Sequence, residues 1–161
     1  RTIYKNILLG LEVTHQCTEQ KKRLAADMMH DYGLASFKNA HPSELSGGMR
    51  QRAALIRTLV LEPDILLLDE PFSALDYQTR LEVSDDIFRI IKEQEKTALL
   101  VTHDISEAIA MGEQAIVLSS RPAGIKNVFD IHLSVDKRTP FSSRTAPEFS
   151  AYFHQIWKEL S

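Results

Sequence analysis

The sequence predicts an α/β fold: a partial parallel sheet core preceded by a helical subdomain. Three observations lead there. Residues 65–68, 98–101 and 115–118 are unbroken apolar runs, the pattern of strands covered on both faces of a parallel sheet. The stretches between them carry helical periodicity, and strand–helix–strand alternation implies parallel pairing through right-handed crossovers. The first 62 residues, by contrast, read as helices and loops.

Composition sets the outer bounds. With 161 residues, 43% hydrophobic and 25% charged, the chain has about one domain's worth of ordinary globular sequence. A net charge of -3 gives no pull toward nucleic acid or an anionic membrane surface. Cys17 is the single cysteine, so no intrachain disulfide can form, which fits a reducing compartment. No apolar run nears the roughly 18 residues of a membrane span. No signal peptide is visible, and the chain opens on Arg1, which is not expected to be the natural start.

The elements follow in order. Ile3, Ile7 and Leu11 predict a short helix over 3–11. A second helix is expected over 18–32, with Leu24, Ala25, Met28, Met29 and Tyr32 on its apolar stripe and Gly33 as its stop. Residues 34–44 read as a polar loop. A third helix runs over 47–61, with Ser46 as N-cap, Met49, Ala53, Ile56 and Val60 on its buried face, and Pro63 beyond its end. After the strand at 65–68, a helix over 76–93 is expected to bury Tyr77, Leu81, Phe88 and Ile91. The strand at 98–101 leads to a short helix at 106–111, a third strand at 115–118 and a fourth at 127–133. Residues 134–144 read as a surface loop. Thr145 and Glu148 match a capping box ahead of a last helix whose aromatic-rich face (Phe149, Tyr152, Phe153, Ile156, Trp157, Leu160) is expected to dock on the same domain. The expected divisions are 1–62, 63–133 and 134–161.

Three short motifs carry chemistry. In Leu45-Ser46-Gly47-Gly48-Met49-Arg50-Gln51-Arg52, two glycines open a helix, so the backbone can approach a ligand closely and present amides at the positive end of the helix dipole, as a phosphate requires. Alone, the pattern is no more than a cap; an apolar helical face follows it here. In Ile65-Leu66-Leu67-Leu68-Asp69-Glu70-Pro71, two carboxylates stand where an apolar strand ends, at the sheet edge that forms ligand crevices. Ser73-Ala74-Leu75-Asp76 follows, with Asp76 also a plausible helix N-cap. In Leu99-Leu100-Val101-Thr102-His103-Asp104, a histidine closes the next strand, beside Asp69 and Glu70 if the two strands are neighbours. The other five histidines (His15, His30, His41, His132, His154) lack metal-ligand spacing, so no zinc or iron site is expected.

These motifs, in this order, resemble the signature, Walker B, D-loop and switch-histidine segments of ATP-binding cassette (ABC) ATPases, which have a P-loop-NTPase-like fold. The resemblance covers nearly the whole chain. It implies ATP and Mg²⁺ as ligands, with Ser46, Gly47 and Gly48 contacting the γ-phosphate of ATP held by the opposite subunit, and with Gln51 and Asp76 in the nucleotide-binding set. It implies Asp69 as Mg²⁺ ligand, Glu70 as the base that polarises water, and His103 as a γ-phosphate contact. The stretches HDISEAIAMGEQAIVLSSRPAGI and APEFSAYFHQIWKEL resemble ATPase subunits of nitrate, sulfonate and taurine importers. Such subunits form head-to-tail homodimers on the cytoplasmic face of the bacterial membrane. They drive transmembrane permease subunits, act indirectly with an extracytoplasmic solute-binding protein, and bind no nucleic acid.

One departure stands out. The G-x-x-x-x-G-K-[ST] loop that cradles nucleotide phosphates does not occur in the sequence. The chain is therefore expected to be the C-terminal portion of such a subunit, inactive alone, with an uncovered apolar strand edge prone to association. Two other readings remain: a non-enzymatic interaction module with an ABC-like fold, and a soluble ABC ATPase of DNA repair or translation. The second lacks its usual support, since neither coiled-coil insertions nor tandem cassettes are visible.

Overall fold

A computed structural model describes residues 1–160. The chain opens with two short helices, α1 (Ile3–Ile7) and α2 (Leu9–Val13), rather than the single helix expected over 3–11. The chain bends at Leu8, and α2 carries the weak helix former Gly10 to within contact of Leu61; a Cβ on Gly10 would lie 3.1 Å from Leu61 Cδ1. Helix α3 (Glu19–Asp31) starts where the Thr18 side chain accepts from the Lys21 amide and buries Ala25, Met28 and Met29, as its apolar stripe predicts. Gly33 then takes φ +72, the left-handed conformation that glycine adopts at no steric cost. The expected loop over 34–44 holds two 3₁₀ turns, Ala35–Phe37 and Pro42–Glu44.

Helix α4 (Gly47–Leu59) follows, with Ala53, Leu55, Ile56 and Leu59 buried. Strand β1 (Ile65–Asp69) and helix α5 (Tyr77–Glu93) come next. The buried face of α5 is Val83, Ser84, Ile87, Ile90 and Ile91; of the expected set Ile91 is buried, Leu81 and Phe88 are half-buried, and Tyr77 is 71% exposed. Val83 on this face packs against Gly48 of α4. Strand β2 (Thr97–Val101) pairs parallel with β1, Leu66 opposite Ala98 and Asp69 opposite Val101.

Helix α6 (Ile105–Met111) leads to β3 (Gln114–Leu118) and β4 (Ile125–Asp130), the latter starting and ending earlier than the expected 127–133. These two strands pair antiparallel in a separate sheet, which corrects the expectation of parallel pairing throughout. The connection between them is six residues, and a parallel crossover needs a dozen or more. The expectation that the strands are covered on both faces is also corrected. Along β1, Leu66 is buried while Ile65 and Leu67 are exposed; along β2, Leu99 and Val101 are exposed. An unbroken apolar run predicts two-sided burial, but side chains alternate along a strand; among the described residues Leu66 is buried and Leu68 and Leu100 are half-buried, while Ala98 opposite Leu66 is exposed.

The tail adds α7 (Pro140–Ser143) inside the expected loop, and α8 (Phe149–Leu160). The capping box does not form. Glu148 instead accepts from the amide and hydroxyl of Ser134 (3.1 and 2.6 Å), and the Thr145 hydroxyl donates to the Ser142 carbonyl. Two apolar clusters result. The larger joins α1 to α5 with β1 around Ile7, Leu11, Met29, Ile56, Leu66 and Phe72. The smaller holds Ile105, Ile109, Ala115, Val117, Ile131 and Ile156, with Phe149, Tyr152 and Phe153 packed on it. The aromatic face of α8 thus docks on the same chain, apart from its exposed end at Trp157 and Leu160.

Candidate active site

Two groups of the predicted residues come together, and each is built differently. The first lies at the start of α4. Ser46 is extended (φ -64, ψ 165), and its hydroxyl accepts from the Met49 amide at 3.3 Å, satisfying one of the free N–H groups of the first turn. Gly47 and Gly48 follow against α5 and the turn before it. A Cβ on Gly47 would stand 2.7 Å from Leu75 Cδ2, and one on Gly48 would stand 2.6 Å from Val83 Cγ2. A side chain at either position would displace its neighbour: the mobile end of Leu75 at Gly47, and the stiffer, β-branched Val83 at Gly48. Ser46, Gly47, Gly48, Leu75, Asp76 and Thr79 line one open groove. Asp76 caps α5, accepting from the Thr79 amide at 3.1 Å; hydrogen bonds from Thr79 hold its carboxyl below the usual carboxylate range. Gln51 is half-buried on the next turn of α4 and is not among the residues lining this groove. Arg50 donates to the Leu45 carbonyl and Arg52 to that of Tyr32, so both brace the chain around the groove.

The second group lies at the carboxyl edge of the parallel pair. Asp69 ends β1 with an exposed side chain. Glu70 follows with φ +45, a conformation costing a non-glycine residue of the order of 1 kcal/mol. It is held there from both sides: its amide donates to the Val101 carbonyl at 2.8 Å, and its carbonyl accepts from the Ser73 hydroxyl at 3.0 Å. The turn aims the Glu70 carboxylate at His103. Oε1 accepts from the His103 amide at 3.0 Å and lies 2.7 Å from Nδ1. This contact with Glu70 raises the imidazole pKa above its ordinary value of 6.5. Parallel pairing with Asp69 opposite Val101 is what brings these residues side by side, as the motif order predicts.

Two further residues escape the sequence reading. Glu107, on α6, is 3% exposed, and burial pushes its carboxyl pKa up. It accepts from the Thr102 hydroxyl at 2.7 Å, and Arg80 lies 3.7 Å from its other oxygen. Arg80 also faces Asp104 at 3.5 Å. The D-x-x-E spacing of Asp104 and Glu107 reads as a helix start, and Asp104 does cap α6 through the amides of Ser106 and Glu107. Nothing local, however, announces that Glu107 turns inward to an arginine on another helix.

Asp69 offers a hard carboxylate oxygen at a sheet edge, which suits a Mg²⁺ that takes one or two carboxylates and fills its other positions with water and phosphate oxygens. Among the described residues no cluster of three or more His, Cys, Asp or Glu could hold a metal by itself. No helix of the described residues is long and apolar enough to cross a membrane.

The chain is similar to several known proteins. The sequence profile of the ABC transporter family matches residues 1–73. An ABC transporter ATP-binding protein of Bacillus subtilis is 48% identical over 161 residues, covering 100% of this chain and 62% of the relative. A nitrate import ATP-binding protein of Synechocystis is 38% identical over 161 residues, covering 96% of this chain and 60% of the relative. An aliphatic sulfonates import ATP-binding protein of Bacillus subtilis is 36% identical over 159 residues, covering 99% and 59%. An inward-facing ABC transporter of metal-chelate type shares the fold, with a TM-score of 0.67 at 20% identity over 79% of this chain and 53% of its own. The chain thus spans about three fifths of the length of these curated relatives. Residues 1–73 thus match the ABC transporter family, and over nearly its whole length the chain is similar to ABC transporter ATP-binding proteins.

Proposed function

We propose that the full-length protein carrying this chain is the ATP-hydrolysing subunit of an importer for nitrate-, sulfonate- or taurine-type solutes. The observation that carries the reading is the Glu70–His103 contact at the carboxyl edge of β1 and β2. Glu70 is the base. Both of its contacts with His103 fall on Oε1, which leaves Oε2 to accept from a water and orient it for attack. A positioned base of this kind contributes about 10²–10⁴ in rate. His103 stands beside it as a donor to the terminal phosphate. Asp69 holds Mg²⁺, which when bound neutralises charge on the phosphates. Ser46, Gly47 and Gly48 present the start of α4 to the nucleotide of a second subunit, with Gln51 and Asp76 next to that contact; electrostatic donors of this type usually supply the largest part of phosphoryl-transfer catalysis.

The second ATPase subunit is a copy arranged head to tail, and permease subunits at the cytoplasmic face of the membrane are the machine it drives; a solute-binding protein acts through them. The nitrate and sulfonate import relatives support the solute class. The exposed Ile65, Leu67, Leu99 and Val101 support a further reading, that the working protein covers this sheet face with additional structure and that the isolated chain does not hydrolyse ATP.

The test is steady-state ATP hydrolysis by the full-length protein with and without Glu70→Gln. A fall in kcat of about 100-fold or more is expected. Full activity in the variant would remove Glu70 as the base, and a wild-type protein that binds its permease but never hydrolyses ATP would favour a non-enzymatic interaction module.

A further inference from the structure

We propose that Arg80 is a positioning residue that ties the groove at the start of α4 to the Glu70–His103 pair. The proposal rests on the ATPase reading above. Arg80 sits on the first turn of α5, three-quarters buried, and its guanidinium reaches in two directions. Nη2 donates to the Leu75 carbonyl at 3.1 Å, and Leu75 is the residue that packs on Gly47 and lines the groove. Nη1 faces the carboxylates of Asp104 at 3.5 Å and Glu107 at 3.7 Å.

Those two carboxylates set the backbone on either side of His103. Asp104 follows it directly and caps α6, accepting from Ser106 at 2.7 Å. Glu107 fixes Thr102, the residue before His103, whose hydroxyl donates to it at 2.7 Å and accepts from the Asp104 amide at 3.0 Å. One guanidinium therefore holds a carbonyl of the groove wall and both flanks of the histidine. A buried carboxylate such as Glu107 needs a cation, but a simple counter-charge would not need the second arm to Leu75. The planar fork of arginine can span carbonyl and carboxylates together; the point charge of lysine cannot. A ligand that shifts Leu75 through Gly47 moves Arg80, and with it the setting of His103 against Glu70.

The experiment measures MgATP hydrolysis, as single turnovers and in steady state, by the full-length protein carrying Arg80→Met, Arg80→Lys, His103→Ala or Arg80→Met with His103→Ala. Both Arg80 variants are expected to lower kcat about tenfold with KM within about twofold, the usual scale for a group that orients a catalytic residue. In the His103→Ala background, Arg80→Met should cost less than about twofold more, because residues acting through one another are not additive. An equal tenfold loss in that background would show a merely structural role and overturn the proposal, as would Arg80→Lys at the wild-type rate. If Arg80→Met fails to fold, Arg80→Lys keeps the stem and charge and decides the matter. Loss of hydrolysis in Glu70→Gln with both Arg80 variants at the wild-type rate sinks only this inference; full activity in Glu70→Gln sinks the ATPase reading itself.

Discussion

At the start of α4, a Cβ on Gly47 or Gly48 would approach Leu75 or Val83 to 2.7 or 2.6 Å; at the end of β1, Glu70 is held at φ +45 with its carboxylate against an exposed imidazole. The groove is shaped by close packing between two helices that also form the core, so its geometry and the stability of the fold are one quantity. The carboxylate end is shaped by a strained turn and a charge contact near solvent, so its geometry is held at a cost to the fold. Changes in the first region should therefore destabilise, and changes in the second should leave the fold intact or improve it.

The largest effect should come from Gly48→Ala. The added methyl overlaps Val83, and overpacking of a filled interface typically costs about 1–3 kcal/mol. Denaturant unfolding of the folded protein reads this directly. A neutral result would mean that Val83 moves aside freely and that the groove is not set by packing; recovery of stability in Gly48→Ala with Val83→Ala would confirm the contact at fault.

A smaller change of opposite sign is expected from Glu70→Gly. Glycine takes positive φ without the Cβ penalty, so unfolding should shift toward higher stability by about 0.5–1 kcal/mol, even though the proposed base is gone. The exposed contact with His103 offsets little of this, because surface ion pairs contribute little. Loss of stability in this variant would show that the turn is not strained and would erase the contrast with the groove.

The smallest effect is a titration. Glu70 raises the pKa of His103, so the folded state binds the proton more tightly than the unfolded state. The pair's contribution is then fully present below the ordinary imidazole value of 6.5 and is lost as pH rises through the higher folded value. Following the His103 ring by NMR should give a midpoint above 6.5 that falls back in Glu70→Gln. An unchanged midpoint would place the two side chains apart in solution.

The groove was legible from sequence because its signals are local. Ser46 before two glycines and an apolar helical face specifies a capped helix with an open first turn, and that is what forms. The Asp69–Glu70 edge and His103 were legible for a related reason: each follows an apolar run, and two such runs joined by a helix pair in parallel. The same reasoning failed at β3 and β4, where apolar runs look alike whether their partners are parallel or antiparallel, and where the short connection decides. It failed again at Thr145 and Glu148, because Ser134, 14 residues before Glu148, offered the carboxylate better donors.

By itself, the sequence determined the order of most elements, the caps at Ser46 and Asp76, and the burial of Met28 and Met29. Each depends on neighbours within a few residues or on the periodicity of one element. Only the tertiary structure decided which face of α5 is buried, that one side of the β1–β2 pair is open, and that Arg80 meets Leu75, Asp104 and Glu107. Those outcomes depend on contacts between residues far apart in the chain, where volume and charge must match across elements that no local pattern orients.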